Sequence, residues 1–465
     1  MGTLRWTSMR AEGARLARMA GPLVIGQFAV MGMGVTDVII AGHAGTDDLA
    51  AVTIGYYVWD LGMLLVFGIL LANSALIGHR FGAGDRDGIR RQFQQCLWLS
   101  LPLALFSGLV IWIAILLLPR LDLTPEVAGI AAGYLYPTIV TAMLIPIALT
   151  FRTTAEGLGL TRPVMWLMLG AFLINIPMNY VLVHGLFGVP KLGGAGCGWA
   201  TLFAFLLLMI AWTLYSIRSP ALAAFGLWRD FAWPRPRDMV ATLSLGLPIG
   251  LSLLAVGGFF AVVPLVMSSL GTAAIAGHAV AMTFDSLMLT IPLGVGQAMS
   301  VRVAHEMGGR YPQAARAVCI TGMQMLVGVA LLQAALTIGF REQIAGLFTA
   351  DPAVRELGTL LLVYAAAYRV FDSVQIGAGM ALRGYRDTRV SSAIDVFAYW
   401  MFGLPLCYAL GFGSRWQEAM GVEGFWLGMV IAIGAAALAI AARLAWRSTR
   451  EVRMSRVQES AQESA

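Results

Sequence analysis

Charged side chains are scarce in this chain of 465 residues: Asp, Glu, Lys and Arg make up only 12%, whereas 59% of the residues are hydrophobic. Soluble domains carry roughly 25% charged residues, so a chain of this composition lacks the polar surface needed to face water on every side. The mean hydropathy of +0.78 agrees with that shortage. The composition excludes an ordinary soluble domain and predicts a membrane protein.

Cysteines and nucleotide-binding motifs are equally scarce. There are four cysteines, and no pair has the spacing of a disulfide framework or a metal cluster. The segments RFGAGDRDGIRR and RGYRDTR lack the spacing of a phosphate-binding loop. No nucleophile–base pair is recognisable, and no basic segment lies in a nucleic-acid-binding module. We therefore predict no metal, no cofactor, no nucleic-acid partner and no enzymatic activity.

Long apolar runs are abundant. Leu97–Pro119 and Gly196–Ile217 contain 23 and 22 residues without a charge, and each can cross a hydrocarbon core of about 30 Å as a helix. The runs are continuous rather than alternating, which favours helices over barrel strands. The sequence predicts an all-α polytopic protein with 12 transmembrane helices, at about 16–42, 49–78, 93–118, 127–151, 163–184, 195–217, 239–270, 273–301, 317–340, 354–381, 391–412 and 421–446.

The second half of the chain repeats the first. Conserved-looking prolines, glycines and arginines recur 226 residues apart early in each copy and 228 residues apart late in each copy, as in Pro22 with Pro248 and Pro177 with Pro405. Internal repeats of membrane helices are typical of transporters. They predict two six-helix pseudo-symmetric lobes: an N-lobe at 1–217, a cytoplasmic linker at 218–238, a C-lobe at 239–446 and a disordered cytoplasmic tail at 447–465.

Basic residues segregate between alternate connections. If the N-terminus is cytoplasmic, 25 of the 31 basic residues lie in cytoplasmic segments. Five lie in outside loops: Arg120, Lys191, Arg341, Arg355 and Arg415. The positive-inside rule then predicts that both termini are cytoplasmic, and it accounts for the net charge of +6 without nucleic acid. The basic segments are also expected to contact anionic membrane lipids.

Six strings occur in order in this chain: GMGVTDVIIAGHAGTDDLAAV, EGLGLTRP, NIPMNYVLVHGLFGVPKLGGAGCG, LGLPIG, FAVV and QIGAGMALRGYRDTR. Together they resemble the multidrug and toxic compound extrusion (MATE) family, and its bacterial NorM-like branch most closely. The resemblance covers about residues 16–430. It implies two lobes around a central cavity, a monomer in the bacterial inner membrane, and antiport in which an entering ion drives an organic, often cationic, compound out.

Ionisable residues inside membrane spans are costly and are candidates for function. Asp37 lies in the first span and matches the acid of the family's first helix, whereas its repeat partner is Val263. Asn175 and Asn179 match the polar partners of that acid. Burial favours the protonated form of a carboxyl group, so such an acid can load and release a proton. We predict that Asp37 couples transport to protons; the alternative is a structural Asp that ties spans one and five together.

Asp372 in span ten matches the second-lobe acid that the family associates with cation coupling, and Tyr368 matches as well. The usual Glu of span seven aligns with Val256, and Arg369 stands three residues before Asp372. A guanidinium beside a carboxylate already acts as its counter-ion. We predict that Arg369 and Asp372 form a structural or gating pair, which favours protons over sodium. The alternative is that Arg369 points toward Asp285 or Asp395.

Asp60 and Asp285 occupy nearly equivalent positions of spans two and eight. We predict that they contribute to a substrate cleft that binds a cation through acids, aromatic rings and methionine. Its other members are Trp59, Tyr56, Phe284 and Met282. The alternative is a polar contact between helices. Asp395 is interpreted as structural, in the first turn of span eleven, where the helix dipole favours an acid.

The predicted function is efflux of organic, cationic compounds in exchange for protons, with resistance to antibiotics and other xenobiotics as its consequence. Sodium-coupled drug antiport is the first alternative. The second is a flippase for lipid-linked precursors of the same superfamily, which needs a basic cleft for phosphate. The intramembrane charges, five acids and one base, argue against the flippase.

Overall fold

The structure is a computed structural model that describes residues 2–120, 122–413 and 418–463. Its described part consists of helices and their connections. They are α1 (Gly2–Ala44), α2 (Thr46–Gly82), α3 (Arg86–Leu117), α4 (Pro125–Gly157), α5 (Thr161–His184), α6 (Ala195–Arg218), α7 (Pro220–Ala223), α8 (Pro236–Met267), α9 (Thr272–Gly308), α10 (Pro312–Gly339), α11 (Arg341–Phe348), α12 (Pro352–Gly384), α13 (Arg389–Val396), α14 (Leu404–Phe412) and α15 (Gly421–Glu463). Short 3₁₀ turns follow α3 and α8, and a π-helical stretch, Phe397–Gly403, joins α13 to α14.

Local sequence sets where the long helices begin. Asp85 caps α3 by accepting a hydrogen bond from the Gly88 backbone N–H at 2.8 Å. Thr124 caps α4, and a proline follows it at the first helical position, where the missing N–H costs nothing. Asp351 and its following proline repeat this arrangement at α12. The corresponding helices α4 and α12 therefore start in the same way.

Twelve helices of the described residues are long and apolar enough to cross a membrane. They correspond to the 12 predicted spans, and the predicted all-α polytopic fold is confirmed. The eleventh span is composite, because α13, the π-helical stretch and α14 together form Arg389–Phe412. One of the predicted outside residues, Arg415, lies outside the described residues.

The chain divides into two compact units. We call residues 25–250 the first unit, and residues up to Val24 together with those from Leu251 onward the second unit. These boundaries differ from those drawn from the repeat at 217 and 239. The start of α1, up to Val24, packs with the second repeat, and the start of α8, up to Gly250, packs with the first repeat. Sequence similarity between the copies does not reveal this exchange of helix starts.

Close backbone contacts explain this exchange. A Cβ atom on Gly68 of α2 would lie 2.2 Å from the Cα of Gly250 in α8, so only glycine permits the approach. The repeat partner of Gly68 is Gly294 of α9, whose Cβ would meet the side chain of Val24 in α1 at 2.4 Å. Small residues at such crossings let membrane helices pack closely. The same type of contact therefore recurs once within each unit.

The linker belongs to the first unit because two glutamines of α3 bind its backbone. Gln94 donates to the carbonyls of Leu227 and Arg229, each at 3.0 Å. Gln95 donates to the Trp233 carbonyl at 3.0 Å and accepts from the Arg235 N–H at 2.6 Å. These bonds satisfy backbone groups that the irregular segment leaves unpaired.

The end of the chain differs from the sequence-based expectation. Helix α15 continues to Glu463, whereas the polar composition predicted a disordered tail from residue 447. Contacts between neighbouring turns support the extension: Arg447 pairs with Glu451 at 2.7 Å, and the Arg443 and Arg450 guanidinium groups lie over the Trp446 ring. Pairs four residues apart stabilise a helix by a few tenths of a kcal/mol each, about 0.2–0.5.

Candidate functional site

Asp37 lies at the junction of four helices in the first unit, and only 2% of its surface is exposed. Asn179 of α5 donates to Oδ1 at 2.8 Å. Thr201 of α6 donates to Oδ2 at 3.2 Å, and the Tyr134 hydroxyl of α4 donates to the same oxygen at 3.5 Å. These three partners are neutral, so the acid of α1 is buried without a counter-ion among the side chains that bind it.

The two asparagines of α5 form a connected network with that acid. Asn179 also donates to Asn175 Oδ1 at 3.0 Å, and Asn175 donates to Thr201 Oγ1 at 3.3 Å. Residues four apart share one helix face, which places both amides beside α1. The Asn179 Oδ1 atom is buried and has no hydrogen-bond partner among the described residues. The network therefore has acceptor capacity left for a protonated neighbour.

Small residues let Tyr134 reach this network. A Cβ on Gly55 of α2 would lie 2.4 Å from the Tyr134 ring, and one on Gly198 of α6 would lie 2.3 Å from the Tyr134 carbonyl oxygen. The helix carrying Tyr134 can therefore approach both neighbours closely. Asp37, Asn175 and Asn179 thus lie together, as the family resemblance implied.

Sequence reasoning missed Tyr134 and Thr201. Their repeat partners are Leu361 and Met429, so each is polar in the first half and apolar in the second. The same asymmetry marks Asp37 against Val263. A search of the two copies for polar residues whose repeat partners are apolar would have found Asp37, Tyr134 and Thr201.

Aromatic residues surround Asp60 on α2. Tyr56 lies one turn before it and Trp59 directly precedes it, and the ring centroids of these two residues are 6.2 Å apart. Asp60 is half-buried, and its carboxylate has no hydrogen-bond or ion-pair partner in the described part of the chain. The buried Trp59 Nε1 likewise has no partner there. Three of the residues predicted to form the substrate cleft therefore lie side by side, with an uncompensated acid among them.

Two acids of the second unit, Asp285 and Asp372, share an ion-pair partner. Arg369 of α12 is 3% exposed and donates from Nη1 to Asp372 Oδ2 at 2.5 Å. Its Nε donates to Asp285 Oδ1 at 3.0 Å, and its Nη2 binds the Asp285 carboxylate and carbonyl. One guanidinium thus bridges α9 and α12, so the pairing predicted with Asp372 and the alternative with Asp285 both occur.

This bridge corrects one expectation about Asp285. The predicted cleft required an acid open to a cation, but both oxygens of the Asp285 carboxylate bind the Arg369 guanidinium, one through Nε and the other through Nη2. Its neighbours on α9 also pack within their own unit: Phe284 against Ile344 and Leu362, and Met282 in the cluster around Tyr368. Tyr368 is itself buried there beside Phe260, with ring centroids 6.2 Å apart.

Val256 of α8 occupies the position at which the resembled family has a glutamate, and it packs in the apolar cluster with Tyr368. A sodium site takes several oxygen ligands and needs net negative charge from them. Here the carboxylate oxygens of Asp285 and Asp372 already bind the guanidinium of Arg369. Val256 has no side-chain oxygen and therefore supplies no ligand. The residues of this cluster suit an internal ion pair better than a bound metal ion.

Comparisons with known proteins agree with this architecture. The sequence profile of the MatE family matches residues 22–181 and again 248–409, so each match begins at one of the paired prolines Pro22 and Pro248. The multidrug resistance protein PmpM of Pseudomonas aeruginosa is 37% identical over 450 residues, which cover 97% of this chain and 94% of PmpM. The multidrug resistance protein NorM of Vibrio cholerae is 34% identical, with 94% and 96% covered.

Solved structures share the fold. The crystal structure of the eukaryotic MATE transporter AtDTX14 superposes with a TM-score of 0.84 at 19% identity, covering 97% of this chain and 99% of that one. An outward-facing multidrug resistance MATE transporter gives a TM-score of 0.83 at 20% identity, covering 95% and 97%.

The fold and the buried acids define a multi-pass membrane transporter built from two repeats. The chain belongs to the multidrug and toxic compound extrusion (MATE) family, whose bacterial members include the multidrug resistance proteins it resembles.

Proposed function

We propose that this protein is a secondary antiporter of the bacterial inner membrane that exports organic cations in exchange for protons. The observation that carries the proposal is the contrast between two buried sites. Asp37 is bound by neutral donors only, whereas Asp285 and Asp372 share the cation of Arg369. The names of its relatives, PmpM and NorM, support drug efflux.

Protonation changes what Asp37 can bind. As a carboxylate it accepts hydrogen bonds from Asn179, Thr201 and Tyr134. Once protonated it becomes a donor, and the bonds from these groups weaken or rearrange. Because the donors come from three other helices, the two protonation states favour different packing of α1. Proton binding then shifts the population between conformations, which requires a difference in proton affinity between them.

Transport by purified protein in proteoliposomes tests this role. We expect Asp37→Asn to abolish accumulation of a fluorescent organic cation driven by a pH gradient while leaving substrate binding intact, because the amide preserves the shape of the site but cannot exchange a proton. Asp122→Asn, an exposed acid in the loop before α4, is the control and should transport normally. Undiminished pH-driven transport by Asp37→Asn would overturn the proposal.

We propose Asp60, with Tyr56 and Trp59, as the part of the first unit that binds the cationic group. An acid without an ion-pair partner beside aromatic rings attracts a quaternary or protonated amine. We expect Asp60→Asn to weaken the binding of cationic substrates by about tenfold, about 1.4 kcal/mol. A neutral substrate of similar size should bind almost unchanged.

The control for Asp60→Asn is Asp285→Asn. Because the Asp285 carboxylate already binds Arg369, we expect this substitution to affect the binding of cationic and neutral substrates equally. Equal losses for both substrate types in Asp60→Asn would contradict the assignment.

A further inference from the structure

Asp395 does not lie where the sequence suggested. The helix that carries it begins at Arg389, so Asp395 is its seventh residue, and the helix dipole of the first turn does not stabilise it. It stands two residues before the π-helical stretch Phe397–Gly403. Single π-helical turns inside helices occur frequently at functional sites. The helix-dipole argument for a structural role of this acid therefore does not apply.

The partners of Asp395 come from two other helices and are neutral. Ser252 of α8 donates to Oδ2 at 2.5 Å, and Gln375 of α12 donates to Oδ1 at 2.5 Å. Gln375 in turn accepts a bond from the Tyr399 hydroxyl at 3.1 Å. Ser252, Gln375 and Tyr399 are all buried, whereas Asp395 itself is half-buried. Both carboxylate oxygens therefore have a hydrogen-bond donor, and the side chain is not fully enclosed by its neighbours.

The charged groups near this site do not form ion pairs with it. Asp372 and Arg383 lie on α12, on either side of Gln375 in the sequence, and both interact with Asp395 only through space. Arg369 is committed to Asp285 and Asp372. The serine hydroxyl can reverse, donating to a carboxylate or accepting from a carboxylic acid. Asp395 can therefore hold or release a proton without breaking a salt bridge, unlike Asp285 and Asp372.

We propose that Asp395 is a second proton-binding residue of the transport cycle, located in the second unit. The proposal rests on proton-coupled antiport as proposed above. Protonation turns Asp395 into a donor toward Ser252 and weakens its bond from Gln375, so it changes the connection among α8, α12 and the π-helical stretch. None of these residues has a polar repeat partner: Ser252 corresponds to Gly26 and Gln375 to Ala148. Each half of the molecule thus has its own proton site, built from different residues.

The stoichiometry of exchange tests this proposal. With a singly charged substrate, two protons per cycle move net charge across the membrane, whereas one proton does not. We expect the wild type in sodium-free proteoliposomes to respond to membrane potential and to exchange two protons per substrate, as measured from the reversal potential. Asp395→Asn should exchange one proton and lose the response to membrane potential while still transporting along a pH gradient.

Two further variants keep the test decisive. Asp387→Asn removes an acid in the connection between α12 and α13 that pairs with Arg443, and it should keep the wild-type stoichiometry. If Asp395→Asn does not fold, Ser252→Ala decides. Loss of a donor to the carboxylate should move the pH profile of the voltage-dependent component upward by about one unit. An unchanged profile would overturn the proposal.

The outcomes separate the two proposals. An unchanged stoichiometry in Asp395→Asn overturns the assignment of Asp395 and leaves Asp37 as the sole carrier. A wild type that ignores the pH gradient overturns the proposed function itself. Restoration of the voltage response of Asp395→Asn by sodium would also contradict a proton site.

Discussion

The buried acids of this molecule differ in whether a positively charged side chain binds them. Asp37 and Asp372 are the acids expected from the family resemblance, and both are buried. The carboxylate of Asp37 accepts hydrogen bonds from neutral groups. Arg369 instead forms ion pairs with Asp285 and Asp372, and a buried guanidinium without these acids would itself be uncompensated. We propose that Asp37 exchanges protons and that the ion-paired acids of the second unit are structural.

Substitution of Arg369 tests the structural role of its ion pairs with Asp285 and Asp372. We expect Arg369→Gln to lower the free energy of unfolding by about 3–5 kcal/mol, since two acids lose their buried partner. We also expect sodium chloride, compared with choline chloride, to raise the unfolding temperature of this variant but not that of the wild type. Arg341→Gln, an exposed arginine on α11, serves as the control and should be indifferent to both changes. A wild type stabilised by sodium as strongly as the variant would contradict the account.

The helices themselves are where the sequence was most informative. Continuous apolar runs and the repeat predicted 12 spans, because hydrocarbon thickness dictates helix length. Two features escaped prediction. The exchange of first-helix segments depends on contacts between residues far apart in sequence, and the extension of α15 to Glu463 depends on pairs along a helix whose composition is polar.

The sequence predicted the acids of the candidate site and the asparagines beside Asp37, but not the hydroxyl groups that bind Asp37. Asp37, Asn175 and Asn179 were found from resemblance and spacing, whereas Tyr134 and Thr201 are ordinary in type and become distinctive only beside Asp37. The occupancy of Asp285 was one of two alternatives for Arg369, and the sequence alone did not decide between them, because one guanidinium can bind two carboxylates.

The crossing of α2 and α8 gives a prediction about packing. Gly68→Ala places a Cβ against the backbone of Gly250, so the helices must separate, and overpacking of this kind costs about 1–3 kcal/mol. We expect a lower unfolding temperature in detergent. Gly170→Ala on α5 is the matched control, since nothing lies within 4 Å of its Cβ and alanine favours the helix. Equal effects of the two substitutions would argue against the proposed role of this contact.

For the molecule as a whole, the distribution of arginine predicts orientation. Most basic residues lie in the segments predicted to share a side with both termini, so the positive-inside rule predicts that those termini are cytoplasmic. A fluorescent protein fused after Ala465 should therefore be bright in cells, and alkaline phosphatase fused there should be inactive. Fusions at Asp122 in the opposite loop should behave in the reverse way. Active phosphatase at the C-terminus would refute the orientation.

The two units share a scaffold but differ in their buried acids. Paired prolines and glycines recur at matching positions, and the family profile matches both halves. Some buried polar residues recur as well, such as Ser74 with Ser300. The acids assigned to proton binding do not: Asp37 corresponds to Val263, and Asp395 to an apolar position of the first half.

The central claim, that protons rather than sodium drive transport, is tested most directly by wild-type protein in proteoliposomes under one gradient at a time. A pH gradient in sodium-free buffer should drive accumulation of an organic cation, and Asp37→Asn should abolish it. A sodium gradient at equal pH on both sides should drive none. Accumulation driven by sodium alone would contradict the account, because the second unit would then bind an ion where Arg369 stands.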